Sequence, residues 1–280
     1  LEDKDALLTA MRTHNVVAVM HFAAYAYVGE SMSDPSAYFR NNVANAINVL
    51  DAMREAEVDS LVISSTCATY GEPDSIPIHE EMPQAPVNPY GSSKVMLEEL
   101  ARWYGAAHGL RTASLRYFNA AGSDPDGEIG EAHNPETHLI PLVVDAALGR
   151  RPSVTVNGTD YPTPDGTAVR DYIHVCDLAD AHVAALRRIT ESGSGLTLNL
   201  GTGKGTSIRE VIAAVTRAVG TAPVVEYGPR RQGDPPALVA DPSRAEQALG
   251  WKAVRSEIDQ IVSDTVAWRR ARGSLIDHVA

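Results

Sequence analysis

The strongest constraint on the fold is an alternation. Segments with apolar residues at helical spacing take turns with short, continuous apolar runs, the pattern that βαβ units leave in a sequence. Ala6, Leu7, Ala10 and Met11 recur on one face of a helix over residues 3–14, which leads into Val16-Val17-Ala18-Val19-Met20. A run without polar alternation is what a strand covered on both faces requires. The pattern continues with a helix over Pro35 to Glu57, a strand Ser60 to Ser64, a helix after Pro89 and a strand Thr112 to Arg116. The predicted class is therefore α/β, with a doubly wound parallel sheet.

After Asn119 the texture changes. Residues 121–136 are rich in Gly, Asp and Pro and read as an irregular excursion. Helices are expected over His138 to Leu148, Asp177 to Ile189, Ile208 to Val219 and Ser256 to Arg272. The predicted organisation is a first domain over 1–118, rejoined by about 172–189, and a smaller interleaved α/β domain over 119–171 and 190–280. The chain carries 24 Lys and Arg against 36 Asp and Glu, a net charge of −12. Such a surface repels phosphate backbones and anionic lipid, so neither nucleic acid nor a membrane is the expected partner. An anionic ligand must then be held by a local group of Arg. Two cysteines, Cys67 and Cys176, make no disulfide framework and fit a reducing cytoplasm, the expected location. No apolar run approaches the roughly 18 residues of a membrane span, and no segment reads as a signal peptide.

The sharpest local signal is Tyr90-Gly91-Ser92-Ser93-Lys94, opening a helix after Pro89. Residues four apart share a helix face, so the Tyr90 phenol and the Lys94 ammonium can converge on one ligand. A fixed cation favours the phenolate and is expected to lower the Tyr90 pKa, making a general base. The same spacing also fits a solvated helix face. About one βα unit upstream, the strand ending at Ser64 runs into Ser65-Thr66-Cys67-Ala68-Thr69. This places hydroxyls at the carboxyl end of a parallel strand, where ligands of open α/β sheets bind. Such hydroxyls can equally bond turn backbone. Together with Tyr90 and Lys94, they supply a third group able to polarise a substrate hydroxyl or carbonyl.

These residues occur in order with His21-Phe22-Ala23-Ala24, Val28-Gly29-Glu30-Ser31, Asn41-Asn42-Val43, Arg116-Tyr117-Phe118-Asn119, Asp160-Tyr161-Pro162-Thr163, Val169-Arg170-Asp171-Tyr172-Ile173-His174 and Arg230-Arg231-Gln232-Gly233-Asp234. The sequence thereby resembles the extended short-chain dehydrogenase/reductase superfamily, and within it the UDP-glucose (UDP-galactose) 4-epimerases. The resemblance implies a Rossmann-type sheet, NAD as cofactor, a UDP-sugar as substrate and a homodimer. It implies Tyr90 as the base, Lys94 on the nicotinamide ribose and Thr66 in the catalytic hydroxyl position. Phe22, Ala23, Ala24, Asn42, Ser64, Tyr90, Lys94 and Tyr117 match positions lining NAD. Asn119, Leu139, Arg170, Arg231 and Asp234 match positions gripping UDP, with Thr66, His138 and Leu238 beside the sugar or uridine.

Alternatives of substrate and class stay open at this point. Leu238, smaller than Tyr, leaves room for N-acetylated UDP-hexoses, and the Ala23–Tyr27 segment also resembles UDP-arabinose/UDP-xylose 4-epimerases. The related 4,6-dehydratases need acidic residues where Cys67 and Ala68 stand, and Cys67 is expected to be a packed thiol. A catalytically silent nucleotide-sugar-binding homologue is the alternative of another class. Gly201-Thr202-Gly203-Lys204-Gly205 lacks the residues of a dinucleotide or Walker loop and is expected to turn the chain into a helix capped by Ser207 and Glu210. The nine His show no metal spacing, so no metal site is expected. The resemblance also implies a preceding glycine-rich unit of roughly 60 residues. Nothing before His21 supplies one. The expectation is a chain that opens inside a longer one, its sheet ending at the Val16–Met20 strand with an aggregation-prone edge.

Overall fold

The structure, a computed structural model, describes residues 1–231 and 234–272. Gln232 and Gly233 of the Arg230–Asp234 motif lie outside the described residues. In chain order the elements are α1 (Lys4–Thr13), β1 (Val19–His21), α2 (Val28–Ser33), α3 (Pro35–Phe39), α4 (Asn45–Glu55), β2 (Ser60–Thr66), α5 (Pro89–His108), β3 (Arg111–Tyr117), β4 (Asn119–Ala121), α6 (Leu139–Ala147) and β5 (Val154–Asn157). There follow β6 (Val169–Arg170), β7 (Tyr172–His174), α7 (Val175–Ser192), β8 (Leu196–Leu200), β9 (Thr206–Ser207), α8 (Ile208–Val219), β10 (Val225–Gly228), β11 (Ala237–Leu238), α9 (Ser243–Leu249) and α10 (Ile258–Arg272).

The main sheet is parallel, in the order β1-β2-β3-β8, and among the described residues β1 pairs only with β2. Alternate residues of β2 feed opposite cores, as the pleat demands. Leu61 and Ile63 pack with α1, α4 and α5, while Val62 packs with β3, β8, α7 and α9. Both faces are therefore helix-covered, which is why β2 is buried along its whole length. A separate core joins α6, α8 and α10 through Val143, Val144, Val211, Val215, Ile261 and Val262.

Three differences from the sequence reading have local causes. The first strand begins at Val19 because Asn15 takes φ 49° and Val16 N donates back to Met11 O, so the helix closes in a turn at His14–Asn15 and Val16–Ala18 lead irregularly into the strand, with Val17 83% exposed. The helix expected over Pro35 to Glu57 contains a wider turn, Arg40–Ala44, of π type. Such turns commonly mark functional segments, and this one carries Asn42. Finally, β8 lies beyond the 172–189 return expected for the first domain, yet forms the fourth strand of the main sheet. The crossover through α7 delivers it there.

Candidate active site

β2 ends at Thr66 and turns at once into a short 3₁₀ segment, Cys67–Tyr70, with the Thr66 hydroxyl accepting from Ala68 N at 3.1 Å. α5 starts with Pro89 in its first turn and the Asn88 side chain accepting from Gly91 N at 2.8 Å. A Cβ at Gly91 would lie 2.5 Å from the Ala68 carbonyl oxygen, so only glycine lets this helix start press against the strand-end turn. That close approach sets Tyr90 and Lys94 beside Thr66.

Lys94 is 2% exposed, and its Nζ donates to the Ser64 carbonyl at 2.8 Å and lies 6.0 Å from the centre of the Tyr90 ring. Among the described residues no carboxylate forms an ion pair with it. Burial lowers its pKa to about 8, against a weaker opposite pull from Glu98. His21, at the end of β1, is held neutral: burial, aided by Lys94, lowers its pKa to about 4. The Tyr90 phenol corrects the sequence expectation. Burial pushes its pKa up, the Tyr117 phenol adds to the rise and the Thr66 hydroxyl opposes it. Desolvation sets the direction, and the Lys94 ammonium, 6.0 Å from the ring centre, directs one of its donors to the Ser64 carbonyl.

The residues matched to the cofactor lie around this pair. Ser64 and Tyr117 share a hydroxyl–hydroxyl hydrogen bond. Phe22 is 55% exposed, with its ring 4.8 Å from that of His182, which also stands 6.0 Å from Tyr117. Ala23 is exposed and Ala24 half-buried. Asn42 is fully enclosed and works as a clamp: its amide donates to Tyr25 O at 2.9 Å and Ser93 Oγ at 3.0 Å and accepts from Tyr25 N at 2.8 Å. It thus fixes the segment after β1 to the first turn of α5. No local motif points to His182, which reaches the site from α7, far along the chain.

This donor set fits the nicotinamide-ribose end of NAD. A buried ammonium with a single acceptor has donors to spare for ribose hydroxyls, and the half-exposed Phe22 offers an apolar wall beside them. Residues 1–21 hold no glycine-rich loop that would cradle the pyrophosphate.

Apart from Thr66, the residues matched to the substrate lie on or near β4, α6, β6 and β11. β6 pairs with β11 so that Arg170 and Leu238 are register partners. Leu238 packs into a cluster with Cys67 and Phe118, which ties this sheet to the turn after Thr66. Asn119 opens β4, with its N–H donating to Asp171 O at 3.0 Å. Asp171 is fully buried and accepts from Thr202 N, Thr202 Oγ1, Gly203 N and Ala240 N. The Gly201–Gly205 loop is therefore a scaffold, and Ser207 and Glu210 form the expected capping box on α8.

Arg170 and Asp234, both expected on the nucleotide, are ion-paired to each other. Arg231 is exposed, and with the Asn157 amide oxygen turned toward it donates from Nε at 3.1 Å and Nη2 at 3.2 Å. Leu139 is the first residue of α6. His138, matched to a sugar or uridine contact, is instead held by Glu131 at 2.6 Å and Glu136 at 3.1 Å, which raise its pKa to about 10. Glu131, His133 and Glu136 were not read as site residues, because they lie in the irregular stretch where no periodicity orders side chains. Cys67 is a packed thiol whose pKa burial lifts to about 11.

Residues 1–201 match the model of the NAD dependent epimerase/dehydratase family. The UDP-glucose 4-epimerase of Azospirillum brasilense is 49% identical over 261 residues, 93% of this chain and 75% of that protein. The crystal structure of UDP-glucose 4-epimerase from Brucella ovis in complex with NAD superposes with a TM-score of 0.92 at 50% identity, covering 95% of this chain and 82% of the other. A UDP-glucose 4-epimerase from Stenotrophomonas maltophila, with bound NAD and formylated UDP-arabinopyranose, gives 0.93 at 41% identity over 97% of this chain and 81% of that one.

Proposed function

Because this chain belongs to the NAD dependent epimerase/dehydratase family, we propose that it interconverts UDP-glucose and UDP-galactose by inverting the sugar C4. The observation that carries the reading is Lys94, a buried ammonium with no ion-pair partner among the described residues, one helical turn on from Tyr90 and beside the hydroxyl end of β2. An unpaired buried charge is costly, and ligands recover that cost.

NAD, when bound, supplies the hydride acceptor and donor and a positively charged ring. Lys94, Ser64, Tyr117 and Phe22 would hold its nicotinamide-ribose end, with Asn42 fixing the strand-end segment beneath it. Tyr90 takes the proton of the sugar 4-hydroxyl and returns it to the same oxygen after the sugar turns. Thr66 hydrogen-bonds that oxygen in both states. Arg170, Arg231 and Asp234 grip the nucleotide, with Asn119 and Leu139 at its sides, so the non-reacting part of the substrate anchors a 4-keto sugar that must stay free to rotate. Burial raises the Tyr90 pKa; a neighbouring positive charge on the ligand would lower it. Proton removal is thereby coupled to occupancy.

The UDP-hexose reading is favoured over the N-acetyl and pentose alternatives by the relatives, whose names are UDP-glucose 4-epimerase. The silent-homologue alternative is disfavoured by the complete Thr66, Tyr90 and Lys94 set. A cytoplasmic homodimer completes the reading: no described helix is long and apolar enough to cross a membrane, and α4 and α5 expose Ile47, Met96 and Trp103 for a second copy. The test is incubation of the NAD-loaded protein with UDP-galactose, UDP-glucose and their N-acetyl and pentose analogues, with products separated by anion exchange. Failure to form UDP-glucose from UDP-galactose would overturn it.

A further inference from the structure

We propose that Glu131, His133, Glu136 and His138 form a binding site for a divalent transition metal of the zinc class. The four side chains come from one irregular segment, spaced two, three and two residues apart, and one donor atom from each lies within 4.8 Å of all the others. Glu131 Oε1 stands 2.9 Å from His133 Nδ1 and 2.6 Å from His138 Nδ1, and Glu136 Oε1 stands 3.1 Å from His138 Nδ1. Ligand atoms about 2.0–2.2 Å from a tetrahedral zinc ion are themselves roughly 3.3 Å apart. The three short pairs therefore need spreading by less than about 1 Å, and pairs at the 4.8 Å limit need closing by about 1.5 Å, to seat the ion between the donors.

Its surroundings orient the ligands. The second oxygen of Glu136 is held by Arg269 Nη2 at 3.2 Å, and that arginine is 3% exposed. The Glu131 main-chain carbonyl accepts from Trp268 Nε1 at 3.1 Å, and the Pro135 carbonyl accepts from the Tyr27 hydroxyl at 3.2 Å. α10 and the segment before α2 thus pin both ends of the donor run. In metal sites, hydrogen bonds of this kind to the ligating residues fix the orientation of the donors. The two glutamates are 17% and 10% exposed, whereas the imidazoles are 47% and 45% exposed, which leaves an entry path from solvent. Two imidazoles with two carboxylates favour Zn²⁺, Co²⁺ or Ni²⁺ over Mg²⁺ or Ca²⁺, which take all-oxygen shells.

The ion would brace residues 122–138 where they enter α6. Its effect on nucleotide affinity rests on the reading of Leu139 given above, but metal binding itself does not. The experiment treats the whole protein with a chelator, removes the chelator and titrates zinc chloride against a chromophoric competitor, then repeats the titration with cobalt chloride followed by visible absorbance. The expected result is one Zn²⁺ per chain, cobalt bands of the intensity typical of four- or five-coordinate sites, and at least a tenfold loss of zinc affinity in each of His133→Gln and His138→Gln. Circular dichroism identifies any variant that fails to fold, and the stoichiometry and cobalt spectrum of the unaltered protein stand without the variants. Absence of stoichiometric zinc, a six-coordinate cobalt spectrum, or unchanged affinity in the folded double variant would overturn the site and leave an ion-pair cluster only.

Discussion

Lys94, at the carboxyl end of the main sheet, is 2% exposed and among the described residues makes a single hydrogen bond, to a carbonyl. Arg170, on β6, has a side chain 13% exposed and is already paired with Asp234. The first region keeps a charge uncompensated and depends on the scaffold to hold it; the second neutralises itself and must rearrange to meet a ligand. The difference predicts which kinetic constant each region controls. Changes at the sheet end should strike the chemical step, and changes around β6 and β11 should strike binding.

The largest expected effect is at Tyr90. Loss of a general acid–base group costs about 10²–10⁴-fold in rate, and Tyr90→Phe also removes the atom that carries the proton. We expect kcat for UDP-galactose to fall by about 10³-fold or more, while UDP affinity by calorimetry stays within about twofold. Residual activity above a tenth of the parent's would break the division at its strongest point.

Lys94 sharpens the same side through stability. Its folded pKa of about 8 lies below the ordinary 10.5, so between these values the unfolded chain binds more protons than the folded one. Stability from this group therefore rises as pH climbs from about 8 toward 10.5, and below 8 the whole cost of the buried ammonium is present. That cost is on the order of 3 kcal/mol. Lys94→Met should raise the urea midpoint of the cofactor-free chain at pH 7 and flatten its rise toward pH 10, while cutting kcat by about 10²-fold. Equal pH slopes in the two chains would show that Lys94 is not an uncompensated charge.

The same contrast explains what the sequence made legible. Tyr90, Lys94 and Thr66 sit where regular elements meet, and Asn88, Pro89 and Gly91 fix that junction by local rules, so both spacing and residue type signal it. The capping box at Ser207 and Glu210 was readable for the same reason. The pairing of Arg170 with Asp234 joins residues 64 positions apart through a loop. No local pattern encodes such a contact. The convergence of Glu131, His133, Glu136 and His138 is short-range in sequence but set by Trp268, Arg269 and Tyr27, which approach from distant elements. The Tyr90 pKa ran opposite to expectation because the sequence shows a nearby cation but not the depth of burial.

On β6, Arg170→Ala should raise KM for UDP-galactose and the Kd for UDP by about 30-fold, near 2 kcal/mol. It should leave kcat within about threefold, since no contact to the reacting carbon is lost. Asp234 would be left half-buried and unpaired, so some of the loss comes from the partner rather than from the ligand. Arg170→Ala combined with Asp234→Ala separates the two: recovery of part of the affinity in the double variant identifies the stranded carboxylate. A kcat loss larger than the KM rise would erase the distinction between the regions.

The smallest effect is expected at Cys67, which touches both regions. It follows Thr66 directly and packs with Phe118 and Leu238, yet its thiol is buried and its pKa is raised to about 11. A thiol of that kind is neither a nucleophile nor a proton donor near neutral pH. Replacing it with Ala removes one buried sulfur, a loss of about 1 kcal/mol of packing, and asks nothing of the chemistry. Cys67→Ala should therefore keep both kcat and KM within about twofold of the parent, and iodoacetamide at pH 7.5 should leave Cys67 unlabelled in the folded protein while modifying it in urea. A tenfold fall in kcat would place the thiol among the reacting groups, and the boundary between a chemical region and a binding region would then have to be drawn on the other side of residue 67.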